Sequence, residues 1–246
     1  MDIVESIKSV MSPPHRAGYP FIGGGIAVAV LGLLIWHPLA WLGLALAVFC
    51  LYFFRDPDRI LPPRADVFVA PADGLVVSIE QAVPPAELGF ETAPLTRVAI
   101  FLSVLDVHVN RAPIAGVVEK IAYHPGLFLN AAEDKASDDN ERNALLMRLE
   151  NGARIAVVQI AGLIARRILC EVREGQTLAT GERFGIIRFG SRTDLYLPPG
   201  ATPLVAVGQR MIGGETVIAE LPASAASAPV EPVEDDTPVD PPSDAP

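Results

Sequence analysis

The stretch GERFGIIRFGSRTDLYLP, residues 181–198, places two apolar runs on either side of a Gly190-Ser191 pair. The runs are rich in β-branched, aromatic and leucine side chains, and a Gly followed by Ser between such runs commonly marks a turn. One interpretation is therefore a β-hairpin that turns at Gly190-Ser191. A second interpretation is chemical, and the rest of the chain has to decide between them.

In the chemical interpretation, the Ser191 hydroxyl attacks the carbonyl carbon of Gly190 and converts the peptide bond into an ester. Gly190 has no side chain to obstruct that attack, and glycine tolerates strained backbone angles. Elimination across Ser191 then splits the chain, and loss of ammonia leaves a pyruvoyl ketone at the new N-terminus. Such a ketone forms a Schiff base with an amine substrate, so the chain would make its own electron sink.

Composition limits the possible partners. The 246 residues carry a formal net charge of −10, and six of the acidic residues lie after Leu221 in a tail without Lys or Arg. The body is therefore only mildly acidic and has no basic stripe, so we expect no nucleic-acid partner. Cys50 and Cys170 lie in apolar surroundings and suggest neither a disulfide framework nor a metal site. We predict that the Pro-, Ala- and acid-rich tail, residues 222–246, is disordered.

The N-terminal part of the chain is strongly apolar. No Asp, Glu, Lys or Arg occurs between Ala17 and Phe54, which is too long for one membrane span of about 20 residues. His37-Pro38 divides the stretch, so residues 1–54 are predicted to hold a tight helical hairpin that spans a membrane or dips into it. A buried hairpin of a soluble domain is the alternative. Basic residues flank both ends, which places both on the cytoplasmic face of the cell membrane.

After a Pro- and Arg-rich linker, residues 55–69, short Val- and Ile-rich runs alternate with Gly and Pro. This pattern predicts a β-rich domain over residues 70–221. Two pairs of internal repeats occur within it: a P-x-x-G-x-V-x-x-I motif at 71–79 and 113–121, and a G-Q motif at 175–182 and 208–215. The fold class is therefore mainly β with an N-terminal apolar helical hairpin, as a pseudo-symmetric sandwich of short strands that resembles the lipoyl and biotinyl hammerhead.

Two residues of this domain are candidates for chemistry. Asp73 breaks the symmetry of the first repeat, because the second copy has alanine there; its other possible role is that of a common turn residue before glycine. Residues 98–110 are predicted as one strand whose face turns polar at Asp106, His108 and Asn110. A strand running from the core into a cleft would let His108 act as a general acid or base, and a structural histidine is the alternative.

Two further segments have open interpretations. Residues 154–160 and 165–172 are predicted to form a pair of strands, and Arg166 and Arg167 in the second would either meet a lipid phosphate or simply be solvated. The polar loop 124–143 contains Lys135 in a context similar to a lipoylation hairpin. The order of the surrounding motifs is wrong for such a carrier.

Together these motifs resemble the short bacterial form of the phosphatidylserine decarboxylase family over about residues 52–220. The resemblance rests on long motifs in order: FFRDPDR (53–59), APADG (70–74), FLSVLDVHVNRAPIAG (101–116), the DKAS…NERN loop (135–143), QIAGLIARRI (159–168) and ERFGIIRFGSRTDLYLP (182–198). It implies self-cleavage between Gly190 and Ser191, with Ser191 becoming a pyruvoyl group and chains 1–190 and 191–246 staying together as a heterodimer. It also implies decarboxylation of phosphatidylserine to phosphatidylethanolamine at a membrane, without a metal or pyridoxal phosphate.

One position departs from the family pattern. In the larger branch of the family an Asp-His-Ser relay for self-cleavage is assigned with the second of two histidines, and Arg111 stands at that position here. The acid carries over to Asp73 and the serine to Ser191, while His108 matches the first histidine, which is tied more to decarboxylation. We therefore favour Asp73 as the group for cleavage and His108 for decarboxylation. A route in which His108 relays the Ser191 proton stays open.

Two alternative functions remain. One is a pyruvoyl decarboxylase of another amino acid, against which the apolar segment argues. The other is a membrane-tethered carrier or adaptor domain of hammerhead fold, which would stay uncleaved and carry a modified lysine. The lysines available for such a modification are Lys8, Lys120 and Lys135.

Overall fold

The computed structural model describes residues 12–89, 93–126, 140–162, 167–188 and 191–221. The predicted disordered tail, Gly190, Arg166 and the lysines at positions 8 and 135 lie outside the described residues. After a 3-10 turn at Arg16–Gly18, the chain forms helix α1 (Tyr19–Ile35) and helix α2 (His37–Phe53). The extended residue Trp36 separates them, and a proline occupies the first turn of α2. The apolar stretch thus divides at the predicted place, because proline is favoured at a helix start and disrupts a helix interior.

The two helices pack closely through small residues. A Cβ added to Gly32 would overlap the backbone nitrogen of Ala40, so the helices can approach this far only with glycine there. Large apolar side chains cover the outer surface instead, and Leu34 is 81% exposed. Close contacts through small residues are typical of helices in lipid. The helical stretch Arg16–Ile35 is long and apolar enough to cross a membrane, and His37–Phe53 is a shorter apolar helix.

The rest of the described chain is mainly β structure. The strands are β1 (Val67–Val69), β2 (Gly74–Ala82), β3 (Leu95–Leu102), β4 (Val109–Arg111), β5 (Gly116–His124), β6 (Arg142–Arg148), β7 (Arg154–Ala161), β8 (Ile168–Cys170), β9 (Thr177–Leu178), β10 (Arg183–Ile187), β11 (Ser191–Tyr196), β12 (Arg210–Met211) and β13 (Val217–Glu220). The largest sheet is antiparallel and has the order β12-β2-β3-β11-β7-β6-β5-β9, a smaller one has the order β4-β10-β8, and β1 pairs with β13. The predicted mainly β class with an N-terminal helical hairpin is confirmed.

The internal repeats occupy equivalent places in the large sheet. Strands β2 and β5 both begin at the glycine of the P-x-x-G motif and are nine residues long. The start of β2 pairs with β12 from the second G-Q motif, and the start of β5 pairs with β9 from the first. Each long strand carries one register irregularity, just after Val76 in β2 and just after Val118 in β5. The matching sequences therefore make matching strand pairs.

The apolar runs around Ser191 do not form a hairpin. Strand β10 belongs to the three-stranded sheet, whereas β11 lies in the middle of the eight-stranded sheet. Ser191 pairs with Leu102 of β3 on one side and with Ala161 of β7 on the other. The hairpin interpretation is therefore wrong, because each run finds its partners in a different sheet.

Residues 98–110 are not one strand either. Strand β3 ends at Leu102, and β4 begins at Val109 in the other sheet. Between them the Asp106 carboxylate accepts hydrogen bonds from the backbone nitrogen and the hydroxyl of Ser103, at 2.8 and 2.7 Å. Local side-chain bonds of this kind compete with a sheet ladder and turn the chain.

The predicted strand pair 154–160 and 165–172 also differs from the structure. Strand β7 lies between β11 and β6, while β8 pairs with β10 in the other sheet. The segments were correctly assigned as strands, but not as partners. A strand pattern fixes which residues share a face and does not specify the neighbouring strand.

Alternation along β11 decides which side chains face the main core. Leu195 belongs to the cluster of buried side chains that fills this core, whereas Tyr196 belongs to a second cluster on the other face of the sheet. Since side chains alternate along a strand, Ser191 and Thr193 share the face of Leu195. The candidate nucleophile therefore points into the protein, toward the main core and the small sheet.

Candidate active site

Ser191 is the first residue of β11, and its side chain is fully buried. Its Oγ has no hydrogen-bond partner among the residues that the structure describes. A buried hydroxyl without a partner typically costs about 1–3 kcal/mol, so such groups are few and call for an explanation. The backbone of Ser191 is held in the ladder between β3 and β7. The Ser191 backbone is thus held in place, and its hydroxyl is buried at the predicted cleavage position.

His108 lies just before β4 and is wholly buried. Its Nδ1 is 2.9 Å from the backbone carbonyl oxygen of Asp106. A carbonyl only accepts, so Nδ1 carries the hydrogen and Nε2 keeps its lone pair. Burial lowers the pKa of His108 to about 4, while the Asp106 carbonyl and carboxylate oppose this decrease and the Arg55 charge adds to it. The imidazole is therefore neutral at pH 7 and has the tautomer of a base at Nε2.

The end of the apolar hairpin covers this histidine. Phe53, the last residue of α2, is fully buried, and its ring centroid lies 4.3 Å from that of His108. Phe54 meets Phe53 edge to face at 4.9 Å, and Phe21 of α1 stacks on Phe54 at 5.3 Å. Sequence reasoning gave this segment a membrane role and missed its contact with the site. The aromatic pair that opens the FFRDPDR motif is the only sequence signal for it.

A buried network of side-chain amides links the small sheet to the large one. Asn110 of β4 donates from Nδ2 to Thr193 Oγ1 of β11, at 3.1 Å. Gln159 of β7 donates from Nε2 to Asn110 Oδ1 at 2.8 Å, and Asn143 of β6 donates from Nδ2 to Gln159 Oε1 at 2.9 Å. All four side chains are buried. A satisfied buried network of this kind fixes one arrangement of the strands.

This network also relates His108 to Ser191. The two residues stand two positions before Asn110 and Thr193, which are in direct contact. Ile187 stands four residues before Ser191. Its backbone nitrogen donates a hydrogen bond to the His108 carbonyl oxygen at 3.2 Å. His108 thus lies just before β4 and Ser191 begins β11, the two strands that the contact between Asn110 and Thr193 joins.

Asp73 lies at the start of β2 and is held from two sides. Both of its carboxylate oxygens accept from Arg59 Nη2 at 2.8 Å, and Oδ1 also accepts from the backbone nitrogen of Gly213 at 2.8 Å. Burial raises the pKa of Asp73, and the Arg59 charge and the Gly213 hydrogen bond oppose the rise. The next residue, Gly74, has φ +148°, and a Cβ there would overlap the carbonyl oxygen of Phe101, so glycine is required.

Asp73 and Ser191 lie at the same end of the large sheet but not on adjacent strands. Leu75 of β2 pairs with Phe101 of β3, and Leu102 of β3 pairs with Ser191. Neighbouring strands are about 4.8 Å apart, so the backbones at Asp73 and Ser191 are separated by about 10 Å. In this state Asp73 is bound by Arg59 and does not reach the Ser191 hydroxyl.

Arg111 is the one position at which the sequence departs from the pattern that it otherwise resembles. Its guanidinium donates to the carbonyl oxygens of Gly181 at 3.0 Å and Pro57 at 2.8 Å, and to the Asp56 carboxylate at 3.2 Å. The segment predicted as a linker thus contacts the site directly, through Asp56 and through the arginine that binds Asp73. Sequence reasoning missed this role, although the alternating charges of RDPDR are the signal for it.

A cavity of about 480 Å³ lies elsewhere, between the loop after β2 and the large sheet. Asp194 and Tyr196 line it, and since Asp194 is three residues after Ser191, these side chains face the opposite side of β11. Asp194 is held by Arg192 through two bonds of 2.7 Å. In the described part of the chain, no group of three or more His, Cys, Asp or Glu side chains is arranged to hold a metal ion.

Fold and site together define a β-rich protein with an apolar helical hairpin, a buried serine and a buried, neutral histidine. Residues 46–219 match the family profile described as phosphatidylserine decarboxylase. Relatives named phosphatidylserine decarboxylase proenzyme are similar over almost their whole length. The relative from Granulibacter bethesdensis is 63% identical, and the match covers 90% of this chain and 91% of the relative. The relative from Cereibacter sphaeroides is 59% identical, and the match covers 91% of this chain and 96% of the relative. The relative from Gluconacetobacter diazotrophicus is 60% identical, and the match covers 90% of this chain and 100% of the relative.

The chain therefore belongs to the phosphatidylserine decarboxylase family, and the resemblance noted in the sequence is confirmed. It is an enzyme of this type, as predicted. The word proenzyme in the names of the relatives describes precursors that mature.

Proposed function

We propose that this chain decarboxylates phosphatidylserine to phosphatidylethanolamine, with a reactive group that it makes from its own Ser191. The observation that carries the proposal is the Ser191 hydroxyl, which is buried at the start of a central strand and has no partner among the described residues. Family membership and the precursor names of the relatives support the same conclusion. The proposed site residues are Ser191, Asp73 and His108, with the cut between Gly190 and Ser191.

The proposed maturation uses atoms of this chain and one water molecule. Ser191 Oγ bonds to the Gly190 carbonyl carbon, the C–N bond breaks, and the freed nitrogen takes a proton. A base then removes the Ser191 Cα proton as the bond between Ser191 Cβ and Oγ breaks, which leaves a Cα=Cβ double bond and releases residues 1–190 with a terminal carboxylate. Water replaces the nitrogen of the resulting dehydroalanine, ammonia leaves, and a ketone remains at position 191. When formed, this pyruvoyl group supplies the electron sink that decarboxylation of an amino acid requires.

For His108 we propose the relay route that the sequence left open. Its Nε2 lone pair accepts the Ser191 proton, and the hydrogen bond from Nδ1 to the Asp106 carbonyl holds the ring and stabilises its charged form. A pKa of about 4 keeps the ring in its basic form throughout the neutral range, although it is a weaker base than free imidazole. After cleavage we assign to the same ring the return of a proton to the carbon that loses carbon dioxide.

For Asp73 we propose an indirect role. Asp73 is paired with Arg59 and lies about two strand spacings from Ser191. It is therefore unsuited to take the serine proton directly in this state. Its negative charge instead holds Arg59, and through it the 55–69 segment, against the site. This differs from the route favoured by the sequence, in which Asp73 is the base.

We propose that the helical hairpin attaches the protein to the cytoplasmic face of the cell membrane. The exposed apolar surface of both helices and the contact through small residues support this, and Tyr19 and Tyr52 lie at the base of the hairpin, where amphipathic rings suit the interface. Deleting residues 1–52 should release the protein from membranes. It should also lower activity on bilayer substrate more than on a soluble short-chain analogue.

The domain division proposed from the sequence is kept: a membrane segment over 1–54, a linker over 55–69, a catalytic domain over 70–221 and a tail over 222–246. The matching pairs β2-β12 and β5-β9 support the proposed pseudo-symmetry and its hammerhead likeness. That likeness concerns the fold only and carries no function.

Release of carbon dioxide from carboxyl-labelled phosphatidylserine in detergent micelles tests the function. Wild-type protein should release it, and Ser191→Ala should not. A wild-type preparation that remains one polypeptide and releases none would refute the proposal and favour the uncleaved carrier or adaptor alternative.

A further inference from the structure

Arg188, three residues before Ser191, differs from most arginines of the protein. Most arginines in the described ranges form an ion pair with a carboxylate, as Arg183 does with Asp56 and Arg59 does with Asp73. Arg188 forms none with the described residues, although it is partly buried. Its guanidinium carbon lies 5.3 Å from the ring centroid of Phe21, and its Nε is buried without a hydrogen-bond partner among the described residues. It is a cation that is held in place and has no carboxylate partner among the described residues.

A second cation lies close to it. The backbone nitrogen of Arg188 donates to the carbonyl oxygen of Arg167 at 3.2 Å, which joins the chain before β11 to the chain before β8. The Arg167 side chain is exposed and has no ion pair with any described residue. Burial lowers the pKa of Arg188, and the nearby Arg167 charge lowers it further. Two guanidinium groups that repel one another would both be stabilised by an anion between them.

The pair lies at the base of the apolar hairpin and next to the site. Arg188 contacts Phe21, Phe21 stacks on Phe54, Phe54 meets Phe53, and Phe53 covers His108. If the hairpin is in lipid, its base lies at the level of the phospholipid head groups. Arg188 therefore contacts the apolar hairpin through Phe21 and stands three positions before the reactive residue 191 in the chain.

We propose that Arg188 and Arg167 form the subsite for the phosphodiester of the lipid substrate, while the serine amine of the same head group reaches position 191. The proposal rests on the proposed function. Guanidinium groups suit this task because their planar fork matches two phosphate oxygens, which a lysine ammonium does not. The sequence pattern left Arg167 either at a lipid phosphate or solvated, and its proximity to Arg188 favours the phosphate.

The head group offers a second anion, the serine carboxylate, and cleavage creates a third at the end of chain 1–190. Dihexanoyl phosphatidylglycerol separates these possibilities, because it has the phosphodiester but neither the amine nor the carboxylate of serine. Dihexanoyl phosphatidylserine below its micelle concentration serves as substrate, so that membrane attachment does not enter the result. Cleavage of each variant is checked first by intact mass, and kinetics are referred to the cleaved fraction.

Arg188→Gln should raise the KM for dihexanoyl phosphatidylserine about tenfold to hundredfold, the loss expected for one charge-assisted contact, and should change kcat less than about threefold. The inhibition constant of dihexanoyl phosphatidylglycerol should rise by the same factor. Arg167→Gln should show both effects to a smaller extent, and Arg188→Lys should recover part of the loss. Arg173→Gln is the matched control, since Arg173 is an exposed arginine that also lacks a carboxylate partner among the described residues.

A raised KM with an unchanged inhibition constant would overturn the proposal, because the arginines would then bind a carboxylate. The proposal would also be overturned if the KM and the inhibition constant were both unchanged in Arg188→Gln and Arg167→Gln. Calorimetric titration of dihexanoyl phosphatidylglycerol into the Ser191→Ala protein needs no turnover. Arginine-dependent binding there would support the subsite even if wild-type protein had no decarboxylase activity, so failure of the proposed function is distinguishable.

Discussion

The Phe53 ring lies 4.3 Å from the His108 imidazole, so the last residue of the apolar hairpin forms one wall around the candidate base. Both side chains are fully buried. Removing water from a histidine disfavours its charged form, and burial is the main reason that its pKa falls to about 4. The element that would bind the membrane therefore also sets the protonation of the site.

Phe53→Ala should raise the pKa of His108 from about 4 toward the free value of about 6.5, because water would replace the ring. The variant should also lose about 3–5 kcal/mol of stability, as is usual for a buried phenylalanine. With four histidines in the chain, an NMR titration of the Ser191→Ala protein in detergent can follow His108 directly.

Phe49→Ala is the matched control, since Phe49 packs on Phe53 with ring centroids 6.1 Å apart and belongs to the same apolar cluster. It should cost stability and leave the His108 titration close to that of the parent. An unchanged His108 pKa in Phe53→Ala would show that the phenylalanine does not keep the ring dry.

Purified wild-type protein should contain chains 1–190 and 191–246, and the second should lack a free amino terminus. The two chains should remain associated under native conditions, because all six residues of β11 are paired with both β3 and β7, which belong to the first chain. Intact mass under denaturing conditions measures the cut, and native size-exclusion chromatography measures the association. Separation of the chains without denaturant would contradict the central position of β11.

Much of the architecture follows from local sequence. The charge-free stretch with its His37-Pro38 break predicts the helical hairpin, and the repeated motifs predict the matching strand pairs. Ser191 and His108 can be selected from motifs because glycine before serine and a polar residue at the end of an apolar run are local signals.

The partners of these residues could not be predicted, because they depend on long-range packing. Nothing local to Phe53 indicates that it covers a histidine 55 positions later, and nothing local to Arg59 indicates that it binds Asp73. The hairpin interpretation of Gly190-Ser191 is wrong for the same reason. Each strand has the right pattern, but pattern does not specify in which sheet a strand pairs.

Gly43→Val should separate the two helices of the hairpin. A Cβ at Gly43 would overlap the backbone nitrogen of Ala29, so the helices must move apart or tilt. Overpacking of this kind typically costs about 1–3 kcal/mol. The expected result is a lower Tm in detergent and faster proteolysis between the helices and the β-rich domain.

Gly24→Val provides the control on the same hairpin, because a Cβ at Gly24 meets no atom within 4 Å. It adds the same side chain to an exposed helix surface and should leave the free energy of unfolding within about 0.5 kcal/mol of wild type. Equal losses in the two variants would mean that valine acts through helix propensity and not through the helix contact.

Asp73→Asn should destabilise the protein more than it slows cleavage. The change removes the negative charge that pairs with Arg59, and both side chains are largely buried, at 16% and 11% exposure. A charge left buried without its partner costs up to about 3–5 kcal/mol. Arg59→Gln should produce a similar loss in urea unfolding, and both variants should still cleave. If the Asp73→Asn protein is stable but remains uncleaved, Asp73 would take the Ser191 proton directly, as the sequence favoured.

His108 should be required for cleavage itself. Loss of a general base usually costs about a hundredfold to ten-thousandfold in rate, so His108→Gln should accumulate uncleaved chain over hours while remaining folded. The base is the neutral ring, whose pKa is about 4. Wild-type cleavage should therefore be independent of pH through the neutral range and should fall only as the pH drops below about 5, where the ring begins to take up a proton.

An acid decline alone does not identify the base, because burial also raises the pKa of Asp73. Phe53→Ala distinguishes His108 from Asp73 as the base. Phe53 contacts His108, so the expected change of pKa is confined to the His108 ring. If His108 takes the Ser191 proton, the decline of the cleavage rate in Phe53→Ala should move to higher pH by the same amount as the NMR titration of His108. If Asp73 takes the Ser191 proton, the NMR titration of His108 should move to higher pH in Phe53→Ala. The pH at which cleavage declines should then be the same as in wild type. Cleavage followed by gel from freshly refolded protein across pH 4 to 8 measures the rate, and agreement between the two shifts is the result that the relay route requires.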